Sequence, residues 1–418
     1  MTRHRRTFLA TVAAFGLAGC TETLTEQTAS EGEGGEDSPE SDSPSDDPAE
    51  AEGETAPEEE LLFDFQDIHE WDLAGGNLSP DREEYVTGEL SARLDGSSNS
   101  VLRIDRSGLD LDLTRHRLSV VAQLHTTESS NAIDLIATDT GGNDMRFRAR
   151  FFKTDEDTTF MPLDLGIYEW DDGVDLAAID TLRIQSRFGE GASGTLWVDS
   201  VYLVPVPETP KLMIQWDDGF ESQYTEALPI QREYDIPSTT FVNTANLGNG
   251  RLSVEQLTEL QDHGWDVSSH LMTHENLTEL SEQEQDAQLR GAQDWLISNG
   301  FEQGAQFFSY TYSALDQTSY DLVEEYHTYA MVGGDPCYGF PRSPVHMGRS
   351  GERTLESAQA YIDTLVQWGG IGALFWHELP GETPLDEFEA IMQYIDELRE
   401  AGELDVITLS ELAELQGR

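Results

Sequence analysis

The sequence predicts two folded parts in tandem: an all-β sandwich over residues 61–207 and an α/β domain, with a parallel sheet or barrel, over residues 208–418. Three observations carry that reading. Short stretches of alternating apolar and polar residues fill the first part without helical periodicity. Strand-like and helix-like stretches alternate through the second. The proline-rich run Val204-Pro-Val-Pro-Glu-Thr-Pro210 stands between them.

Residues 1–20 precede both parts and read as an address. Arg3, Arg5 and Arg6 come before an apolar run from Phe8 to Gly19. That run is too short to cross a bilayer, which takes about 20 residues, and a basic start with a short apolar core is a secretory leader. The Arg5-Arg6 pair followed by Thr-Phe-Leu resembles twin-arginine leaders. Leu17-Ala18-Gly19-Cys20 resembles a lipobox, which implies lipidation of Cys20 and anchoring to the outer face of the membrane. Residues 21–60 hold sixteen acidic residues and no basic one. Such a segment buries no core and is expected to be a disordered, charge-extended tether.

The sandwich is expected from Val101-Leu-Arg-Ile, Leu118-Ser-Val-Val, Ala132-Ile-Asp-Leu-Ile, Phe147-Arg-Ala-Arg-Phe, Thr181-Leu-Arg-Ile and Leu196-Trp-Val-Asp-Ser-Val-Tyr-Leu, with Asp95-Gly96 and Gly141-Gly142-Asn143 as turns. Its last strand, LWVDSVYLVP, and its opening from Phe63 to Trp71 resemble jelly-roll carbohydrate-binding modules. Trp71, Trp170 and Tyr168 are the aromatics that would stack on sugars, although a core position is the stronger reading for each. The prolines at 205, 207 and 210 read as a semi-rigid link, so the second domain is expected to fold alone.

In the α/β domain, strands are expected at KLMIQW, STTFVN, WDVSS, FFSY, YAMVG, IGALFWH and DVITLS, with helices between them. Active residues of such folds sit on loops at the C-terminal ends of the strands. Three of these ends carry polar residues suited to chemistry: Asp217-Asp218, His270 with His274, and His377. Adjacent carboxylates repel, and a nearby cation is the simplest relief. Two imidazoles four residues apart share one side of a helical turn and can grip one ion. With one carboxylate they form a His₂-carboxylate set suited to zinc, with cobalt, nickel or manganese as other first-row candidates. Such an ion would make a bound water acidic enough to ionise near neutral pH.

WDDGF, then SSHLMTHENL about fifty residues later, then FWHEL near the end, resembles the polysaccharide deacetylases of the NodB-homology type (carbohydrate esterase family 4-like). STTFVNTANLG, LTELQDHGWDVSSH and FFSYTYSALD fall where that family's strands and third motif fall, so the resemblance covers Lys211 to about Leu415. It implies an irregular (β/α) barrel and metal-dependent removal of N- or O-acetyl groups from glycans, a hydrolysis of carbon–nitrogen bonds other than peptide bonds when the group is N-acetyl. By motif, Asp218, His270 and His274 would bind one divalent ion. Asp217 would be the general base and His377 the general acid, while Tyr312 and Trp216 would line the substrate. Thr311-Tyr312-Ser313 departs from the family's Pro-Tyr-Gly, and Ser309 stands where an arginine is sometimes found. Asp335 and Arg349 fall in the region where polar partners of the base and acid are expected. His263 reads as a helix-end residue; His327 and His346 have no assigned role.

Composition bounds the partners. The chain carries 81 acidic and 24 basic side chains, a net charge of −57. Nucleic acid is excluded as a partner, because phosphate binding needs lysine and arginine. Acidity spread along the whole chain is the mark of a halophilic surface, where salt screens self-repulsion. With Cys20 lipidated, Cys337 is left alone, so no internal disulfide and no thiolate zinc site is expected. The expected substrate is an N-acetylated polysaccharide at the cell surface or outside the cell, with no protein partner implied. Two rival readings are a deacylase of a small non-sugar amide on the same fold, and a catalytically weak glycan-binding surface protein.

Overall fold

A computed structural model describes residues 59–127, 131–151 and 158–418. The leader, Cys20 and the acidic tether lie outside the described residues, except that Glu60, assigned to the tether, already opens the first strand. Among the described residues no helix is long and apolar enough to cross a membrane.

Among the described residues twelve strands build the first part: β1 (Glu60–Phe63), β2 (Asp72–Gly75), β3 (Asn77–Asp81), β4 (Ser91–Gly96), β5 (Val101–Leu111), β6 (His116–Thr126), β7 (Asn131–Asp139), β8 (Asp144–Phe151), β9 (Met161–Asp164), β10 (Gly166–Trp170), β11 (Ile179–Arg187) and β12 (Gly194–Pro205). They form two six-stranded antiparallel sheets, one in the order β3-β4-β12-β6-β9 with β1 on β12, the other β10-β8-β7-β11-β5-β2. Alternation decides which side chains go inward. On β8, Met145, Phe147 and Ala149 are buried while Arg146, Arg148 and Arg150 face out. Trp71 is not available to a ligand: it is buried, stacked on Phe65 at 4.8 Å. Trp170 is half-buried and meets Trp368 edge-on at 5.8 Å, across the joint. Only Tyr168 of the three sandwich aromatics is exposed.

The second part holds β13 (Lys211–Asp217), β14 (Thr239–Val242), β15 (Asp266–Ser269), β16 (Phe307–Ser309), β17 (Tyr329–Gly333), β18 (Met347–Arg349), β19 (Ile371–Trp376) and β20 (Asp405–Val406). Its helices are α1 (Leu228–Glu233), α2 (Val254–Asp262), α3 (Glu282–Ser298), α4 (Gln317–Tyr326), α5 (Leu355–Trp368), α6 (Leu385–Glu400) and α7 (Leu409–Gln416). The strands pair in parallel as β18-β17-β16-β15-β14-β13-β19, with β20 on β13, and a Ser350–Leu374 bridge brings the two ends together into a nearly closed barrel. Capping boxes start several helices, Ser253 with Gln256 at α2 and Thr408 with Glu411 at α7 among them. His263 is the C-terminal cap of α2, as its helix-end reading expects. The stretch DVITLS is not one strand: only Asp405–Val406 pairs, and Thr408 then caps α7.

The expected separation of the two parts does not hold. Val204 packs in one apolar cluster with Met213, Tyr338 and Phe340 of the barrel. Arg117 of β6 is buried, and its guanidinium donates to His116 O at 2.6 Å in the sandwich and to Cys337 O at 3.1 Å in the barrel. Burial pushes its pKa down to about 10. Backbone bonds cross the joint as well, from Ile167 N to Pro336 O at 2.7 Å and from Phe340 N to Pro205 O at 3.0 Å. The proline run therefore continues strand β12 into an interface instead of spacing two bodies apart.

Candidate active site

Strand β13 is buried along its whole length and ends at Asp217. Asp218 then takes a left-handed backbone, φ 70°, and Gly219 follows at φ 62°. A side chain at Gly219 would meet the Val242 side chain at 2.9 Å, so both its backbone and its neighbours favour glycine. Arg251 holds this turn: its Nη1 donates to the Asp218 carbonyl at 2.6 Å. The turn sends the two carboxylates to different places.

Asp218 faces the two histidines. Its Oδ1 lies 3.2 Å from His274 Nε2 and 3.6 Å from His270 Nε2. His270 directly follows β15 and is buried; His274 is partly exposed. The 270–274 segment is not helical, contrary to the expected helical turn. Leu271 at φ 69° reverses the chain, and bonds from Thr244 N to Leu271 O and from Ala245 N to Met272 O fix the reversal. The result brings the same two imidazoles together, 5.2 Å between ring centres.

These residues fit a metal ion. His270 Nδ1 lies 2.7 Å from Ser309 O, a bond it can only donate, which leaves the Nε2 lone pair toward Asp218. Asp218 Oδ1 is buried and accepts no hydrogen bond among the described residues, an orphaned acceptor whose cost a cation would remove. One ligand atom from each of the three lies within 4.8 Å of the others. Two nitrogens and one carboxylate oxygen are the donor set of zinc and related first-row ions.

Asp217 faces away, into the barrel interior. Arg349 Nη1 donates to its Oδ1 at 2.9 Å and Nη2 donates to its Oδ2. The same guanidinium reaches Ser309 Oγ at 2.6 Å and packs 4.1 Å from the Phe375 ring centre. Burial alone would raise the Asp217 pKa; the charges of Arg349 and His270 outweigh it and hold the carboxyl below its usual value. Arg349 arrives on β18, a three-residue strand with no sequence signal of its own.

His377 follows β19. Its Nδ1 lies 2.9 Å from Glu382 Oε1, and its backbone N–H donates to Glu382 Oε2 at 2.6 Å. The hydrogen bond to Glu382 raises the His377 pKa against the opposing effect of burial. Arg353 sits 3.2 Å from the same carboxylate. Gln223 ties the two strand ends, donating to Asp217 O at 2.7 Å and His377 O at 3.0 Å while accepting from Thr240 Oγ1.

Two expected residues are elsewhere. Trp216 is fully buried, packed on Trp376, Phe388 and Trp265. Neighbouring residues on a strand point to opposite faces, so with Asp217 turned inward Trp216 must face the helix layer. Asp335 meets the sandwich: its carboxyl, raised by burial, feels the charges of Arg150 and Arg148. Glu382 stands where a partner for His377 was sought; five residues from its histidine in a loop, it carries no periodic signal. Tyr312 is at the mouth, 66% exposed and edge-on to His274 at 4.5 Å. Tyr312 and Ser313 both adopt left-handed backbone without glycine, and Ser313 Oγ accepts from Gly333 N at 3.2 Å to hold the loop.

Residues 206–331 match the family model described as polysaccharide deacetylase. YxkH of Bacillus subtilis (strain 168), described as a candidate polysaccharide deacetylase, is 27% identical over 168 residues, 38% of this chain and 58% of its own. A bifunctional xylanase/deacetylase of Pseudobutyrivibrio xylanivorans is 22% identical over 209 residues, 49% of this chain and 31% of its own. The chain thus spans less than two thirds of either relative. Among solved structures, the Xyl-CE4 domain of a multidomain xylanase from the hindgut metagenome of Trinervitermes trinervoides aligns over 50% of this chain and 92% of its own, at 20% identity and a TM-score of 0.37.

Proposed function

We propose that this chain is a metal-dependent hydrolase that removes acetyl groups, N-linked or O-linked, from a polysaccharide outside the cell. The observation that carries the reading is the divergence of the adjacent carboxylates: Asp218 is turned to two histidines and Asp217 to Arg349, giving each a different job. The polysaccharide deacetylase match over residues 206–331 supports the substrate class.

An ion held by Asp218, His270 and His274 would supply Lewis acidity to the acetyl carbonyl and to the attacking water. The chain's own groups supply the rest. Asp217, kept ionised by Arg349, takes a proton from the water. His377, kept protonated by Glu382, gives its proton to the departing amine nitrogen or alkoxide oxygen as the acyl bond breaks. The products are acetate and a free amine or hydroxyl. Tyr312 offers an exposed ring beside His274 on which a sugar can rest.

The leader with Arg5-Arg6 and the Leu17–Cys20 sequence support export and a lipid anchor at Cys20; in that case Cys20→Ser moves the protein from the membrane to the soluble fraction. Acetate release from N-acetylated oligosaccharides, wild type against Asp217→Asn, tests the enzyme reading: the variant should retain metal and lose turnover. A fully active Asp217→Asn protein overturns it.

A further inference from the structure

The outer face of the second sandwich sheet departs from the acidity of the chain. Its four central strands, β8, β7, β11 and β5, turn Arg103, Arg146, Arg148, Arg150, Arg183 and Arg187 outward. These are six of the 24 basic residues of the whole protein. Among the described residues Asp105, Asp134 and Asp144 share the face on these strands, Glu169 of β10 pairs with Arg146 at 3.0 Å and Asp72 of β2 lies opposite Asp105, so arginine and acid come out nearly even here while acid outnumbers base more than threefold overall. A surface selected only for acidity would not collect arginine in one place.

The guanidinium groups are held in place. Arg148 spans Asp134 with bonds of 2.7 and 3.2 Å, and Gln185 holds the same carboxylate at 3.1 Å. Arg103 spans Asp105 at 2.8 and 2.6 Å. Each guanidinium has five N–H donors, and a two-bond pair uses two of them. Arg148 also lies 3.6 Å over the ring of Tyr168, which is 42% exposed. Arg146, Arg148 and Arg150 stand at alternate positions of one strand, spaced about 6.6 Å apart by strand geometry.

The face is fixed relative to the active site. Gly166 of β10 lies so close to Asp335 that a side chain there would meet the Asp335 carbonyl at 2.3 Å, and Ile167 N donates to Pro336 O. Asp335 follows β17, whose end residue Gly333 donates to Ser313, the neighbour of Tyr312. The arginine strand β8 pairs with β10, so it borders the loops at the mouth of the barrel.

From these observations we infer that this face binds a carboxylated polysaccharide, a polymer of uronic-acid type, through guanidinium–carboxylate contacts on β8 and β11 with Tyr168 as a sugar platform. Fixed guanidinium groups on a face where base nearly balances acid suit an anionic glycan; the rest of this acidic surface repels one. Binding is read without turnover, so it stands or falls apart from the enzyme reading.

The test is affinity electrophoresis of the full chain in gels containing polygalacturonate or an uncharged glucan, with Arg146→Gln/Arg150→Gln and Tyr168→Ala as variants and Arg290→Gln as the control. The inference expects retardation by polygalacturonate alone, about tenfold weaker in the double variant, and unchanged in Arg290→Gln. Acetate release from short neutral oligosaccharides should stay at wild-type level in the double variant, which also shows that it is folded. Equal retardation by both polymers, none by polygalacturonate, or a folded double variant that binds like wild type would each overturn it.

Discussion

Glu382 grips His377 twice, once at the imidazole Nδ1 and once at the backbone N–H, from only five residues away in sequence. One carboxylate therefore sets the orientation of the ring, its tautomer and its proton affinity. The remaining Nε2 is the atom left to serve a substrate.

That grip predicts a pH effect. His377 is active as the protonated form, and Glu382 raises its pKa. Wild-type activity should persist above the pH at which an ordinary histidine deprotonates, about 6.5. In Glu382→Gln the alkaline limb of the rate profile should move to lower pH. The stability linkage has the same sign: the raised pKa adds stability fully present below about pH 6.5 and lost as pH rises through the folded value. A limb unmoved by Glu382→Gln would remove His377 as the acid.

Arg349 should matter for folding as much as for rate. Arg349→Met leaves the Asp217 carboxylate buried and unpaired, a loss of about 3–5 kcal/mol by the usual cost of breaking a buried ion pair. Urea unfolding of the variant measures it. A change under about 1 kcal/mol would mean that Asp217 is reached by water once Arg349 is gone.

The contrast between Trp216 and Tyr312 separates packing from binding. Trp216→Ala should cost about 3–5 kcal/mol through the cavity it leaves. Tyr312→Ala removes a largely exposed ring, so thermal stability should hardly move while KM for an oligosaccharide rises. Thermal melts and steady-state kinetics on the two variants check both halves.

Much of the fold was legible because periodicity reports burial. The strand YAMVG and the helix Leu355–Trp368 fall where alternation and 3.6-residue spacing put them. The metal-ligand candidates were legible because DDG and HxxxH are local patterns. What stayed hidden depends on tertiary approach. The sequence placed Arg349 in the right region, but its pairing with Asp217 spans 132 positions from a strand of three residues, too short for any period. Trp216 was misread because its neighbour's chemistry was extended to it, although alternation places adjacent strand residues on opposite faces. The joint was misread because prolines mark a link without saying whether it is covered.

The joint itself gives a prediction. A chain beginning at Thr209 loses Val204 from its cluster and strips Arg117 from Cys337 O. It should be aggregation-prone or melt well below the full protein. A soluble, equally stable fragment would mean the interface contributes little.

The central claim is that Asp218, His270 and His274 hold an ion on which acetyl hydrolysis depends. The direct measurement is metal content and acetate release on one preparation, before chelation, after chelation, and after adding back zinc. The account predicts one ion per chain, loss of acetate release with the ion, and its return with zinc in wild type but not in His270→Ala or His274→Ala. A chelated, metal-free protein that still releases acetate at the original rate would contradict it.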